Sequence, residues 1–234
     1  MERIVDGLYR LESSKFVNSY LIEGGSDLTL IDTGHSRAAE KLIAELKSNG
    51  FSPKDIGRVV ITHAHADHIG GVAALLERHP VKVYAHPEEI PVLNGIKPPA
   101  PFKGLKGFFA DFAYEHLFPW EPVEAVFPID AGKSIRGMAQ WQVMHVPGHT
   151  TGSLAFFNPA KQVLICGDVL SVRGGKPRFP GSAYNGDAKH LRETVRTLAK
   201  LDTDILCPGH GAVLRGGAFR YIEALVSGGR AHAD

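Results

Sequence analysis

An α/β fold is predicted by two features of the chain. Short apolar runs alternate with stretches whose apolar residues recur at helical spacing. The 234 residues, 44% hydrophobic and 22% charged, also suffice to bury a substantial core. No low-complexity segment, solenoid repeat or linker interrupts the pattern, so residues 1–234 are expected to form a single domain.

In chain order, Tyr20–Glu23, Leu28–Asp32 and Arg58–Thr62 have the composition of strands. Ala38–Asn49 reads as an amphipathic helix: Leu42, Ile43 and Leu46 share one face, and Gly50 supplies the C-cap. Ile69–Arg78 is expected as a second helix and Val81–Ala85 as a strand. Residues 95–128 break the rhythm with prolines and the aromatics Phe102, Phe108, Phe109, Phe112, Tyr114, Phe118, Trp120 and Phe127. They are expected to form an insertion. Gln142–Val146, Leu154–Phe157 and Gln162–Cys166 return to strand composition, and Ser171–Gly186 is expected as a loop. Asp187 caps a helix whose apolar face carries Leu191, Val195 and Leu198. Ile205–Cys207 is a short strand, and Ala218–Val226 a closing helix. This pattern does not define the topology.

Bulk charge narrows the function. A net charge of +1 offers no basic surface for nucleic acid and no polybasic patch for a membrane. Apolar runs such as Val163–Cys166 are too short to span a bilayer. Met1–Gly7 carries charge where a signal peptide needs an apolar core, so a cytoplasmic location is expected. Cys166 and Cys207 are expected as reduced, buried core residues.

Histidine is the unusual residue, with 12 copies. The run Thr62-His63-Ala64-His65-Ala66-Asp67-His68 follows a strand and precedes Gly70-Gly71. Imidazole and carboxylate are suitable ligands for zinc, iron or manganese, and a strand end aims several side chains at one point. Three further turns repeat the design, each after a strand and each beside a glycine: Pro147-Gly148-His149-Thr150, Cys166-Gly167-Asp168 and Pro208-Gly209-His210-Gly211. The repetition carries more weight than any one turn. His145, on the strand leading into His149, is expected as a satisfied core residue or as a support behind the ligands, and His86 is left open. His35, His79, His116, His190 and His232 are expected at the surface or in local hydrogen bonds.

The motifs THAHADH, PGHT, GD and PGHG, in that order after Leu30-Ile31-Asp32-Thr33-Gly34, resemble the metallo-β-lactamase-fold hydrolase superfamily, in its glyoxalase II-like and lactonase-like branch. The resemblance covers most of the chain and implies a four-layer αβ/βα sandwich. It implies that His63, His65 and His149 hold one metal, that Asp67, His68 and His210 hold a second, and that Asp168 bridges the two. It also implies that Asp32 supports the site by hydrogen-bonding to histidine ligands. The cofactors would be two divalent cations, zinc first, with iron or manganese as alternatives.

The chemistry then expected is hydrolysis of a small acyl compound, a thioester or ester, by a metal-bridging hydroxide. Metal binding lowers the pKa of water from 15.7 to roughly 7. Asp67 is expected both to bind metal and to orient the nucleophile. Alternatives are an acyl-homoserine lactonase, a promiscuous β-lactamase and, from another class, a non-haem iron enzyme of the persulfide dioxygenase type. Lactonases of the family carry a tyrosine three residues past the bridging aspartate, where this chain has Ser171. The dioxygenases lack a ligand at the last histidine position, which His210 fills. Glyoxalase II members have a longer helical extension after that histidine than the short tail here. Residues 95–128 are expected as a substrate lid or as an interface in a homodimer. Arg173, Lys176 and Arg178 are expected as a solvated basic loop or as an anion receiver.

Overall fold

A computed structural model describes residues 1–25, 27–99 and 117–228. Its first sheet has seven strands in sequence order: β1 (Glu2–Val5), β2 (Leu8–Leu11), β3 (Ser19–Gly24), β4 (Asp27–Ile31), β5 (Ile56–Val60), β6 (Lys82–Ala85) and β7 (Val126–Pro128). The strands β1 to β4 pair antiparallel, and β4 to β7 pair parallel. The second sheet has β8 (Gln142–His145), β9 (Leu154–Asn158), β10 (Val163–Gly167) and β13 (Ile205–Pro208), in the order β13-β10-β9-β8. A separate hairpin joins β11 (Ser171–Arg173) to β12 (Lys176–Arg178).

Strand periodicity of two sorts the side chains into three apolar layers, which lie between four layers of secondary structure, two of strands and two of helices. On the first sheet, Leu21, Leu30 and Val59 face Leu42, Ile43 and Leu46 of helix α1 (Ala39–Ser48), and Val72 and Leu75 of α3 (Val72–Leu76). Their strand neighbours Tyr20, Ile22, Ile31 and Val60 face the opposite way. They pack against Val143, Leu154, Phe156, Val163 and Ile165 of the second sheet. From that sheet, Ala155, Phe157, Leu164 and Leu206 then turn outward onto α5 (Ala188–Leu198) and α6 (Ala218–Ser227). The result is the expected αβ/βα sandwich.

Most predicted elements occur within two residues of their expected bounds, and Asp187 caps α5 by accepting from the Lys189 and His190 N–H groups. Three readings are corrected. The helix expected over Ile69–Arg78 is two short helices, α2 (Ala66–Ile69) and α3, broken at Gly70-Gly71. A Cβ on Gly70 would lie 2.4 Å from the Ser36 nitrogen, and one on Gly71 would lie 2.6 Å from the Thr33 carbonyl oxygen. Two glycines are needed to bring the chain this close to β4, and they cost the helix its continuity.

The loop expected over Ser171–Gly186 contains the β11–β12 hairpin and a 3₁₀ turn at Ser182–Tyr184. Gly174 and Gly175 both have positive φ, which suits a two-residue hairpin turn. His145 is exposed rather than in the core. Its ring stacks on His86 at 4.2 Å, and its Nε2 lies 2.7 Å from the Thr151 carbonyl oxygen.

Of the segment 95–128, Phe102, Phe108, Phe109, Phe112 and Tyr114 lie outside the described residues, as do His116 and His232. Within the described part, Trp120 packs on the α1/α3 side of the first sheet, and Phe118 lies 5.0 Å from the half-buried His35 ring. Among the described residues no helix is long and apolar enough to cross a membrane.

Candidate metal centre

The parallel strands and their neighbours on the second sheet end at one edge of the sandwich, and the site residues leave from those ends. His63, His65, Asp67 and His68 follow β5 and run into α2. His149 follows β8, Asp168 follows β10, and His210 follows β13. Residues up to 147 positions apart in sequence (63 to 210) therefore meet in space. His63, His65, His68 and His149 are buried, and Asp67 is 8% exposed.

Two groups of donor atoms form. The His65 Nδ1 lies 3.1 Å from both the His63 Nε2 and the His149 Nε2. The Asp67 Oδ2 lies 3.3 Å from the His210 Nε2, and the Asp67 Oδ1 lies 3.9 Å from the His68 Nε2. Asp168 stands between them: its Oδ2 is 3.7 Å from the His149 Nε2 and 3.1 Å from the His210 Nε2, and its Oδ1 is 3.4 Å from the His68 Nε2. All seven expected ligands are thus brought together. In each of the triads His63–His65–His149, His63–His68–Asp168 and Asp67–His68–His210 the donor atoms lie within 4.8 Å of one another.

The outward ring nitrogens are held from behind. The His68 Nδ1 lies 2.7 Å from Asp32 Oδ2. The Thr62 hydroxyl donates to Asp32 Oδ2 (2.7 Å), so toward the His63 Nδ1 at 3.0 Å it can only accept. The His210 Nδ1 lies 2.5 Å from the Phe16 carbonyl oxygen, and the His149 Nδ1 lies 3.4 Å from Asn185 Oδ1. Each of these contacts turns an Nε2 lone pair inward, as a metal ligand requires. Asp32 does this from a left-handed backbone (φ 55°), which is uncommon for a residue other than glycine.

Electrostatics divide the cluster. Burial, reinforced by the neighbouring rings, holds His63 well below the ordinary histidine pKa, and it pushes His65 down to about 3. Burial likewise lowers His149. At His68 and His210 burial opposes the charged form, but the facing carboxylates prevail. Asp67, Asp168 and Asp32 raise His68 well above its ordinary value, and Asp168 and Asp67 raise His210 to about 10. Burial also opposes ionisation of Asp67 and Asp168, and the His68 and His210 rings overcome it and keep both carboxyls below the usual range.

The donor set fits a metal. The His68 Nε2 and Asp168 Oδ1 are buried, face each other, and have no hydrogen-bond partner. Such orphaned donors are costly unless a cation or proton lies between them. Neutral imidazoles at one point and carboxylate-rich imidazoles at the other are the ligand chemistry of zinc, iron and manganese.

The cluster floors a cavity of about 630 Å³ whose wall includes Ser171, Arg173, Arg178, Phe179 and Tyr184. Register explains the wall. Ser171 pairs with Arg178 and Arg173 with Lys176, so these four share one face of the hairpin, while Val172 and Pro177 point into the protein.

The family model of the metallo-beta-lactamase superfamily matches residues 14–210. This chain belongs to that superfamily. A relative in Bacillus subtilis (strain 168), named probable metallo-hydrolase YflN, is 28% identical over 225 residues, covering 88% of this chain and 84% of YflN. A hydroxyacylglutathione hydrolase of Xylella fastidiosa (strain M23) is 30% identical over 209 residues, covering 87% of this chain and 64% of that protein. The crystal structure of TTHA1623 in a di-iron-bound form aligns with a TM-score of 0.68 at 29% identity, covering 90% of this chain and 96% of that one. The superfamily assignment makes the chain a metal-dependent hydrolase in general terms.

Some residues of the site were beyond the sequence reading. Asn185 and the Phe16 carbonyl have no motif; they reach the histidines only through tertiary contact. Thr62 opens the THAHADH run, but its bond to Asp32 was not foreseen, and Glu89 is silent in sequence. Arg173 and Arg178 read as a solvated basic loop or an anion receiver; the hairpin that aligns them was missed, and the Gly174-Gly175 pair is the signal that could have marked it.

Proposed function

We propose that this protein is a two-metal hydrolase of small acyl compounds, thioesters or esters, that carry an anionic group. The observation that carries the reading is the convergence of seven donors into two overlapping groups at the floor of one cavity. Divalent cations bound there would supply hydroxide at neutral pH and polarise a carbonyl oxygen. His63, His65 and His149 would hold the first ion, Asp67, His68 and His210 the second, with Asp168 available to both.

The chain's own groups do the rest. Asp67 stays ionised, so it accepts a hydrogen bond from the attacking water and orients it. A thiolate leaving group, with a conjugate acid near pKa 8.5, scarcely needs a proton; an alkoxide does, and Asp67 is placed to relay it. Arg173 and Arg178 meet the anionic end of the substrate, while Phe179 and Tyr184 cover its apolar part. The similarity to hydroxyacylglutathione hydrolase supports a thioester. These features favour a small molecule over nucleic acid or a membrane.

The test is a panel of thioesters, lactones, phosphodiesters and β-lactams assayed with zinc-loaded protein and with His65→Ala. The variant is expected to lose hydrolysis together with one equivalent of zinc. Full rate and full metal content in His65→Ala would reject the assignment.

One observation favours a second reading. TTHA1623 has been captured with two irons, which supports iron at this cluster and a non-haem iron oxidoreductase in place of a hydrolase, although the filled His210 position departs from the persulfide dioxygenase type. Metal analysis of purified protein separates the two: two zincs per chain support hydrolysis, and iron, as one ion or two, defeats it.

A further inference from the structure

Glu89 lies outside the seven-residue cluster, yet its side chain is committed to it. It is 4% exposed and stands at the start of the short helix α4 (Ile90–Leu93). Its carboxylate accepts three hydrogen bonds, and all three come from the turns that carry the first histidine triad. Oε2 accepts from the N–H of Ala64, the residue between His63 and His65, at 2.8 Å. Oε1 accepts from the Thr150 hydroxyl at 2.7 Å and from the Gly152 N–H at 2.9 Å, just beyond His149.

The fit leaves no slack. A Cβ on Gly152 would lie 2.7 Å from the Glu89 Cγ and Oε1, and 3.0 Å from the His86 Nδ1. Thr150 is fixed in turn by Ser153, whose Oγ lies 2.7 Å from the Thr150 hydroxyl and accepts the Thr150 N–H at 3.2 Å. One buried carboxylate therefore spans the gap between the two loops, which are otherwise joined beside the ligands by the Leu154 N–H donating to the Thr62 carbonyl oxygen at 2.8 Å. The three hydrogen bonds of the Glu89 carboxylate all reach the turns of His63, His65 and His149.

We infer that Glu89 is a positioning residue that sets the spacing between the His63/His65 loop and the His149 turn, and so tunes metal affinity at the first site while leaving the second unchanged. The inference rests on the two-metal reading above. It turns on acceptor count. A carboxylate has an acceptor for each loop at once. Glutamine has the same shape but a single acceptor oxygen, so its NH₂ must face either the Ala64 N–H or the Thr150/Gly152 pair. Partners one step behind the ligands typically change metal affinity about 10–100-fold when altered.

Stepwise cobalt titration, followed by visible absorption and by competition with a chelator, tests this. Wild-type protein is expected to take two ions. Glu89→Gln is introduced into His210→Ala, where the first site is retained, and into His149→Ala, where the second is. In the first background it is expected to weaken cobalt binding about 10–100-fold and to shift the visible bands. In the second background affinity should change less than about twofold. Glu89→Asp keeps both acceptors but retracts them by one methylene, and it should fall between wild type and Glu89→Gln; it carries the same comparison if the glutamine variant fails to fold. Unchanged affinity and bands in the His210→Ala background overturn the role of Glu89, as does an equal loss in both backgrounds. Wild-type protein that binds fewer than two ions overturns the two-metal reading itself.

Discussion

Replacing Asp32 tests how firmly the cluster is held from behind. Its carboxylate accepts from the Thr62 N–H (2.8 Å) and the Thr62 hydroxyl (2.7 Å), and it faces the His68 Nδ1 at 2.7 Å. The residue is 2% exposed, so none of these groups can turn to water once it is cut back. Each hydrogen bond to a charged group is worth about 1.5–3 kcal/mol, and each buried donor left alone costs about 1–3 kcal/mol. Alanine also meets the left-handed backbone at φ 55°, at a cost of about 1–2 kcal/mol. Because three bonds at one carboxylate are not additive, Asp32→Ala is expected to lose about 3–5 kcal/mol from metal-free protein.

Asparagine tolerates the left-handed conformation and keeps the size. It offers one oxygen where Asp32 uses two, so Asp32→Asn should lose about 1–3 kcal/mol. Asp32→Ala leaves His68 without its tautomer-fixing partner and should lower zinc affinity about 10–100-fold; Asp32→Asn, whose one oxygen can still face the His68 Nδ1, should lower it less. Urea unfolding gives the stability, and competitive zinc titration the affinity. Asp32→Ala with the wild-type urea midpoint and wild-type zinc affinity would refute the account.

Two further outcomes follow from the charges. Metal-free protein should be most stable near pH 6.5. Below that value the unfolded chain takes protons that the folded chain refuses at His63, His65 (down to about 3) and His149, so stability falls as pH falls. Above it, stability due to protonated His210 and His68 is lost as pH rises toward the raised folded value of about 10 for His210. Zinc must displace those same protons, so its affinity should rise with pH between about 6.5 and 10, and excess zinc should reverse the alkaline loss in a thermal-melting series. Cys166 and Cys207 are both buried, and burial pushes the Cys166 thiol up to about 12 and raises Cys207 as well. Neither should react with a disulfide reagent at pH 8 until the protein is unfolded, which a timed thiol count with and without urea checks.

How much of this was legible in the sequence depends on how local the cause is. Strands such as β4 and β10 are mostly apolar runs and were legible as strands, but their order and register depend on which distant strand lies beside them and were not. The ligand candidates were legible because they sit in strand-end turns, His149, Asp168 and His210 each just after a glycine, and the division of the seven between two metals came from the family resemblance. The break at Gly70-Gly71 was not: the helical spacing of Ile69–Arg78 is real, but backbone approach to Thr33 and Ser36 overrides it, and that approach is a tertiary fact. The exposed stacking of His145 on His86 fails for the same reason, since a strand pattern does not say what lies beside its last residue. Glu89 reads as an ordinary polar residue; only the meeting of the two ligand turns gives it partners.

Gly209 shows the same dependence at the centre of the site, and it can be tested without touching a ligand. It precedes His210 and lies against the bridging carboxylate: a Cβ there would be 2.2 Å from the Asp168 Oδ1 and 2.9 Å from the His68 Cε1. Its N–H also donates to the Gly167 carbonyl oxygen at 2.7 Å, so the backbone cannot retreat without breaking the join between β10 and β13. The Asp168 carboxylate is the part that must move, and Oδ1 is the oxygen that faces His68. Gly209→Ala should therefore keep the apolar layers and a single cooperative unfolding transition while displacing a donor shared by both metal positions. Zinc affinity should drop at least about tenfold, a loss of about 1.4 kcal/mol or more in binding. Retention of two tightly held zincs in Gly209→Ala would mean that Asp168 does not stand where the geometry puts it, and that the convergence of the seven donors is looser than the distances state.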